Sequence, residues 1–552
     1  MTDMRGSEAR YLPAAERRIS RAAFLKGAGG TMLFAVGGQA LAGCSGSQPS
    51  NAGGAAGSPK PGGTATAAIN TDAPTLDWTS TTATITRAIA WHMFEQLFAY
   101  DGNFTVQPML AAGYEVSSDK LTYTIKLRKN VKFHDGSTMT ADDVVASIKR
   151  WGQISGGGQE TVQYIKDIRP AGDSTVKVQL KSVFSPFISN LADIKQALTI
   201  LPAKIAEAAG KEPLKDEQLV GTGPYKFVSW KRGRSIKLDK FDDYAALSEE
   251  KGGVAGKKTA YLDSITANIV KDTQVRLSGL QTGQTDYAQQ LSSDSYQQIK
   301  SMGTVKPVLI KPEAWLSLIP NKAKGPFTDI RLRQAVNAAL QKKKIALAAY
   351  GDKKFWELDG SIFFPEQKTL YTTDGTDHYL DYDVGKAKRL MKEAGYNGEK
   401  IRILVTNLYP DHYNGGQIMA EQLKKVGFNI DLVVMDWPTL LSRRENEDEY
   451  EMYITSFSPS FDPTVVIWLS PSYAGWYRSK KMQALLAKWV TTTADDKKMA
   501  LLGEINRLVY EEIPVVKVVN SIGLQGRSSK LLDYSSWIDM RLWNTGFSST
   551  NT

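Results

Sequence analysis

The side chains that could do chemistry in this sequence are few and scattered. Its four histidines, His92, His134, His378 and His412, never form His-Glu-x-x-His. Its one cysteine, Cys44, has no partner for an intrachain disulfide or for a Cys/His zinc set. A Gly-x-Ser-x-Gly elbow and a Gly-rich Lys-Ser/Thr phosphate loop are both missing. Hydrolysis through a nucleophile, zinc or ATP therefore lacks its usual residues, and no enzyme activity, cofactor or metal is expected. Binding chemistry is better supplied. The chain has twelve tryptophans. Most should be core packing, because a tryptophan is costly to expose. Those beside Gly, Pro or Ser in loops are better ligand candidates: Trp78, Trp315, Trp437 and Trp476. A flat aromatic wall gives contact at low entropy cost and holds cations by its π-face. The stretch Ile454 to Pro463 adds Phe457, Ser458, Phe461 and Asp462, and Gln289-Gln290 offers two adjacent amides. His134 lies in a Phe-His-Asp-Gly turn and reads as structural; His412, after Tyr409-Pro410-Asp411, reads as a surface or a cleft-facing residue.

Cys44 ends Leu41-Ala42-Gly43-Cys44. Before it, Gly27 to Gly43 carries no charge, and before that lies a basic stretch, Arg17 to Lys26. This is the order of an export signal. Leu-Ala-Gly-Cys resembles the bacterial lipobox, which implies a diacylglyceryl cysteine as the mature first residue and an anchor in the lipid bilayer. A Gly/Ser/Pro tract follows as a leash. Ser20 to Lys26 also resembles a twin-arginine motif with Ala22 in the second arginine's place, so the export route stays open. Residues 1–43 hold six Lys/Arg and three Asp/Glu, so their removal lowers the formal charge from +10 to +7. That modest excess suits a surface near anionic lipid or cell wall and calls for no nucleic-acid partner.

The rest must form several domains. Thr64–Ile69, Leu121–Leu127, Val176–Leu180, Lys226–Trp230, Ile236–Leu238, Lys400–Val405, Phe428–Val434, Pro514–Asn520 and Ser536–Leu542 read as strands. Helices are expected over Ile85–Tyr100, Arg331–Ala349 and Gln417–Lys425, and after Asp383. Thr140 and Asp143 form an imperfect capping box. Strand–helix–strand order in the second half predicts an α/β lobe.

Three segments resemble the bacterial extracellular solute-binding proteins of family 5, which serve oligopeptide, dipeptide and nickel importers: Leu121 to Val145, Gly221-Thr222-Gly223-Pro224-Tyr225-Lys226-Phe227, and Phe327 to Leu340. The resemblance implies an α/β, two-lobed periplasmic-binding-protein-like clamshell (class II, cluster C type) with an extra small domain on the first lobe. It divides the chain into a signal peptide (1–43), linker (44–61), first lobe (62–96, 221–308 and 517–552), small domain (97–220) and second lobe (309–516). It implies a monomeric binder outside the cytoplasm, anchored on the periplasmic side or outer face, delivering a small solute or short peptide to an ABC permease. An ordinary peptide binder and a ligand-sensing lipoprotein receptor are the alternatives. In peptide-binding relatives an aspartate three residues before an Asp-Pro pair holds the ligand's ammonium. Here Asp462-Pro463 matches that pair, and the aspartate falls on Pro459 unless Asp462 itself does the pairing. A buried ammonium without a carboxylate carries a large desolvation penalty. Free tripeptides are then expected to bind weakly, and organic amines, sugar derivatives, opine-like compounds or metal chelates become better candidates.

Overall fold

The computed structural model describes residues 58–548; the signal segment, Cys44 and most of the leash lie outside them. An eleven-stranded sheet runs through both lobes of the clamshell. In the first lobe, Thr64–Ile69 pairs in parallel with Ser264–Ile269 and Tyr287–Leu291, and Ser235–Lys240 and Tyr225–Lys231 extend the sheet. In the second, Lys400–Thr406 pairs in parallel with Asn429–Met435 and Met452–Phe457. Two long antiparallel strands, Val305–Pro320 and Val516–Ser528, belong to both lobes. Their first-lobe halves pair over 305–310 and 523–528, and their second-lobe halves over 314–318 and 516–521. Between these stretches the register shifts: Lys311, Pro312 and Glu313 stand opposite Ile522 alone. This bulge is the hinge, and the expected boundaries at 309 and 517 fall inside the same two strands.

A four-stranded antiparallel sheet, Ala111–Val116, Thr122–Leu127, Thr175–Leu180 and Ile165–Pro170, forms the smaller layer. Tyr123, Ile125 and Leu127 point inward while Thr124 and Lys126 point out, as the alternation predicts. The helix Ala141–Ile154 starts where Asp143 accepts hydrogen bonds from the Thr140 amide (2.7 Å) and hydroxyl (2.9 Å). One apolar core runs from this layer into the first lobe. Across it, Arg150 Nη2 donates to Asp77 Oδ2 at 2.6 Å, with both side chains buried.

Three expected elements differ. The Ile85–Tyr100 helix stops at Ala90, and Phe98–Tyr100 is a short strand. Beyond Ala90 the backbone is claimed by the 221–225 turn: Gly223 N donates to Met93 O and Tyr225 N to His92 O. A Cβ at 221 would stand 2.1 Å from Met93 O, so the turn reaches this close only as glycine. Arg331–Ala349 is two helices, Ile330–Ala339 and Lys342–Tyr350. Leu340 is extended between them, and the Gln341 amide donates to Gln422 of a neighbouring helix. Ser536–Leu542 forms no strand; Trp537, Met540 and Leu542 instead fill the first core from an irregular turn.

Candidate functional site

In both lobes the parallel strands end at the hinge. That crevice, outside the carboxyl ends of α/β strands, is where such sheets bind ligands. On the first-lobe side the edge carries Asn70, Gln289 and Gln290. The two glutamines occupy a break in register between Ala288 and Leu291, and Gln290 takes a left-handed backbone, φ 47°. Arg276, buried, holds this distorted segment by donating to Gln289 O (2.8 Å), Gln290 O (2.7 Å), Val270 O and Lys271 O. Gln290 Oε1 accepts from Asn70 Nδ2 at 2.6 Å, and Gln289 Nε2 donates to Asp539 Oδ1 at 2.7 Å. Asp539 also lies 3.8 Å from Arg87.

On the second-lobe side, Tyr409, His412 and Trp437 form an aromatic cluster, with Tyr409 and Trp437 centroids 5.4 Å apart and edge to face. Pro410 starts the helix that carries His412, and Asp436 caps the one that starts at Trp437 by accepting from Thr439 N. His412 Nε2 meets Ser456 Oγ at 2.8 Å. Burial lowers the pKa of His412. Phe457 stands beside Trp315 at 5.0 Å, Trp468 meets Trp315 edge to face at 5.7 Å, and Ser458 is exposed at the strand's end. Lys517 Nζ lies 5.5 Å from the Trp315 ring, and burial lowers its pKa to about 8.

The loop after Ser458 touches residues of the 97–220 stretch, expected as the small domain. Phe461 stacks on Tyr100 at 4.4 Å and lies 6.0 Å from Phe104; Ser460 Oγ accepts from Lys195 Nζ at 2.8 Å. Pro459 is buried and offers no charge. Asp462 is engaged within the chain: Oδ1 accepts from Thr464 N and Oγ1, and Oδ2 from Trp489 Nε1 at 2.9 Å. Two other sequence candidates lie away from this crevice. Trp78 is buried in the first core with its indole N–H on Ile194 O, and Trp476 stacks against Tyr450 beside the amino end of Met452–Phe457. Sequence reasoning did not single out the hinge residues Glu313, Asn520 and Ser521, nor Tyr350 and Asp411. Only the Asp411–His412 pair had a signal, its Pro-led loop.

Several side chains along these edges keep unused hydrogen-bonding atoms. Gln289 Oε1, His412 Nδ1 and both amide atoms of Asn520 are buried without a partner. Among the described residues, no cluster of three or more His, Cys, Asp or Glu side chains is placed to hold a metal. No described helix is long and apolar enough to cross a membrane.

Residues 105–478 match the family model described as bacterial extracellular solute-binding proteins, family 5, middle. The chain belongs to this family. The family-5 chain is 31% identical over 465 residues to the probable peptide ABC transporter periplasmic-binding protein y4tO of Sinorhizobium fredii, covering 81% of this chain and 86% of the relative. Its fold is similar to that of the ABC transporter substrate-binding protein CtaP of Listeria monocytogenes, with TM-score 0.77 and 23% identity over 89% of this chain and 100% of the other. It is also similar to the oligopeptide-binding protein AppA of Bacillus subtilis, solved with a nonapeptide, with TM-score 0.73 and 21% identity over 89% and 99%. As a family-5 protein it is a non-catalytic, extracytoplasmic solute-binding component of an ABC importer.

Proposed function

We propose that this family-5 protein captures a peptide, or a solute of peptide-like polarity, between its lobes, and that acyl chains on Cys44 keep it beside its permease. The observation that carries the reading is the pair of strand edges facing one hinge, with unused amide and imidazole atoms on both sides. Such atoms carry a desolvation cost that an extended polar ligand offsets. The peptide-transport name of the relative at 31% identity supports the same class. Closure then follows from preference: a ligand that touches both edges stabilises the form in which they meet.

Native mass spectrometry of the gently purified mature protein, followed by calorimetry with short peptides, tests the class. A co-purifying peptide, or saturable binding of one, is expected. A non-peptide solute held to the exclusion of every peptide removes the reading. Cys44→Ser should move the protein from the membrane fraction to the soluble one, and undiminished membrane retention argues against the lipid anchor.

A further inference from the structure

Two carboxylates near the hinge have no basic partner. Glu313 sits in the bulge of the first hinge strand and Asp411 in the first turn of the Pro410–Val426 helix. Among the described residues, no lysine or arginine nitrogen lies within 4.0 Å of either one; His412 Nε2, at 4.0 Å from Asp411 Oδ2, is the nearest basic group. Nearby cations are engaged elsewhere: Arg87 by Asp539, Lys311 by Glu357 and Glu366. Each acid accepts from one hydroxyl. Ser521 Oγ donates to Glu313 Oε2 at 3.1 Å, and Tyr350 OH donates to Asp411 Oδ2 at 3.0 Å. The acids are close enough for the Asp411 charge to act on Glu313, and Asp539 adds a smaller effect from the first-lobe side. Burial and these like charges raise the Glu313 pKa to about 7, the signature of a carboxyl group that lacks a counter-charge.

A second observation points to a ligand with donors. Gln289 Oε1 is an acceptor on a side chain only 3% exposed and has no partner, while its own amide nitrogen is fixed on Asp539. On the opposite lobe His412, 5% exposed, turns Nε2 toward Ser456 and Asp411 and leaves Nδ1 unpartnered. An unmet amide acceptor and two unpaired acids around one hinge call for a compact cation that carries several N–H donors.

We infer that Glu313 and Asp411 together form the subsite for a protonated amine of the solute, at the hinge and not at position 459. The inference rests on the proposed solute-binding role and names the charged group of its ligand. Because one acid lies on the hinge strand and the other on the second lobe, an amine between them also favours the closed arrangement.

The test is calorimetry on the mature protein with trialanine and N-acetyl-trialanine, using wild type, Glu313→Gln, Asp411→Asn and, as a folding control, Glu313→Asp. Wild type should bind the free amine about tenfold or more tightly than the acetylated form. Glu313→Gln and Asp411→Asn should bring that ratio close to one, chiefly through weaker binding of the free amine, and Glu313→Asp should keep part of the preference. A ratio near one in wild type, or one unchanged in both neutral variants, overturns the subsite. Should wild type bind neither peptide, putrescine against 1,4-butanediol decides the subsite, while the co-purified solute decides the peptide reading. Diamine binding lost in Glu313→Gln sustains it, and no binding of the diamine overturns it.

Discussion

Glu313 and Gly523 meet across the hinge ribbon: a Cβ on Gly523 would stand 2.6 Å from Glu313 Oε1. The missing side chain on one strand is what admits the carboxylate of the other. Gly523→Ala should therefore push the Glu313 carboxylate away from Ser521, at a cost of about 1–3 kcal/mol for overpacking. Urea unfolding reads the cost, and the trialanine-to-acetyl-trialanine ratio should fall in the same variant.

The pH dependence of stability should carry the mark of Glu313. Its pKa rises from the ordinary 4.5 to about 7 in the folded protein, through burial first and Asp411 second. Between those values the folded state holds more protons than the unfolded one, so stability falls as pH rises through the window and levels off above it. His92 acts with the opposite slope. Burial lowers its pKa from 6.5 to about 3, so its contribution is present above 6.5 and is lost as pH falls. Urea unfolding of the unliganded protein at pH 5 and pH 8 should show the stability of wild type relative to Glu313→Gln falling as pH rises, since the histidine contributions are common to both proteins. Parallel profiles for the two proteins would refute the assignment.

The Arg150–Asp77 pair should be the most expensive ionic contact to break. Asp77 also accepts from the amides of Thr79 and Leu214, so one carboxylate ties the Ala141–Ile154 helix to two loops. Arg150→Met leaves that carboxylate buried without its cation, at about 3–5 kcal/mol. The double change Asp77→Asn with Arg150→Met should recover part of the loss in the same unfolding measurement.

Phe461 should act on closure more than on the site itself. Its ring stacks on Tyr100 and approaches Phe104, so a second-lobe loop is fastened into the first apolar core. Phe461→Ala removes a contact worth about 3 kcal/mol or more when buried. Small-angle scattering should then report a larger radius for the unliganded variant, and ligand affinity should fall about tenfold. An unchanged radius together with unchanged affinity would assign Phe461 to packing alone.

Much of the frame was legible because it rests on local signals. The alternation in Thr122–Leu127 and the Thr140–Asp143 pair need only neighbouring residues. Gln289 and Gln290, Trp315 and Phe457, and Trp437 stand on the strand edges that face the hinge. Trp78 and Trp476 have the same loop neighbours in sequence yet serve packing, since their composition cannot tell which end of a strand they occupy. Asp462 was ambiguous for a similar reason: its acceptors are taken by Trp489, a residue on a later helix. Glu313 and Asp411, one in a strand bulge and one in the first turn of a helix about a hundred residues later, are neighbours only through tertiary packing, and an acid in a bulge leaves no periodic trace.

The strand Thr64–Ile69 is made early, yet its neighbours on both sides come from beyond residue 263, and the sheet that holds them is joined to the second lobe only once Val516–Ser528 pairs with Val305–Pro320. At about 5–20 residues per second, tens of seconds of synthesis separate the first strand from the last. Until that last strand appears, the edge of Tyr287–Leu291 has no cover and the lobes share no ribbon. The nascent chain thus has an interval in which it cannot fasten shut, and that interval is time in which an export channel or a chaperone can hold it.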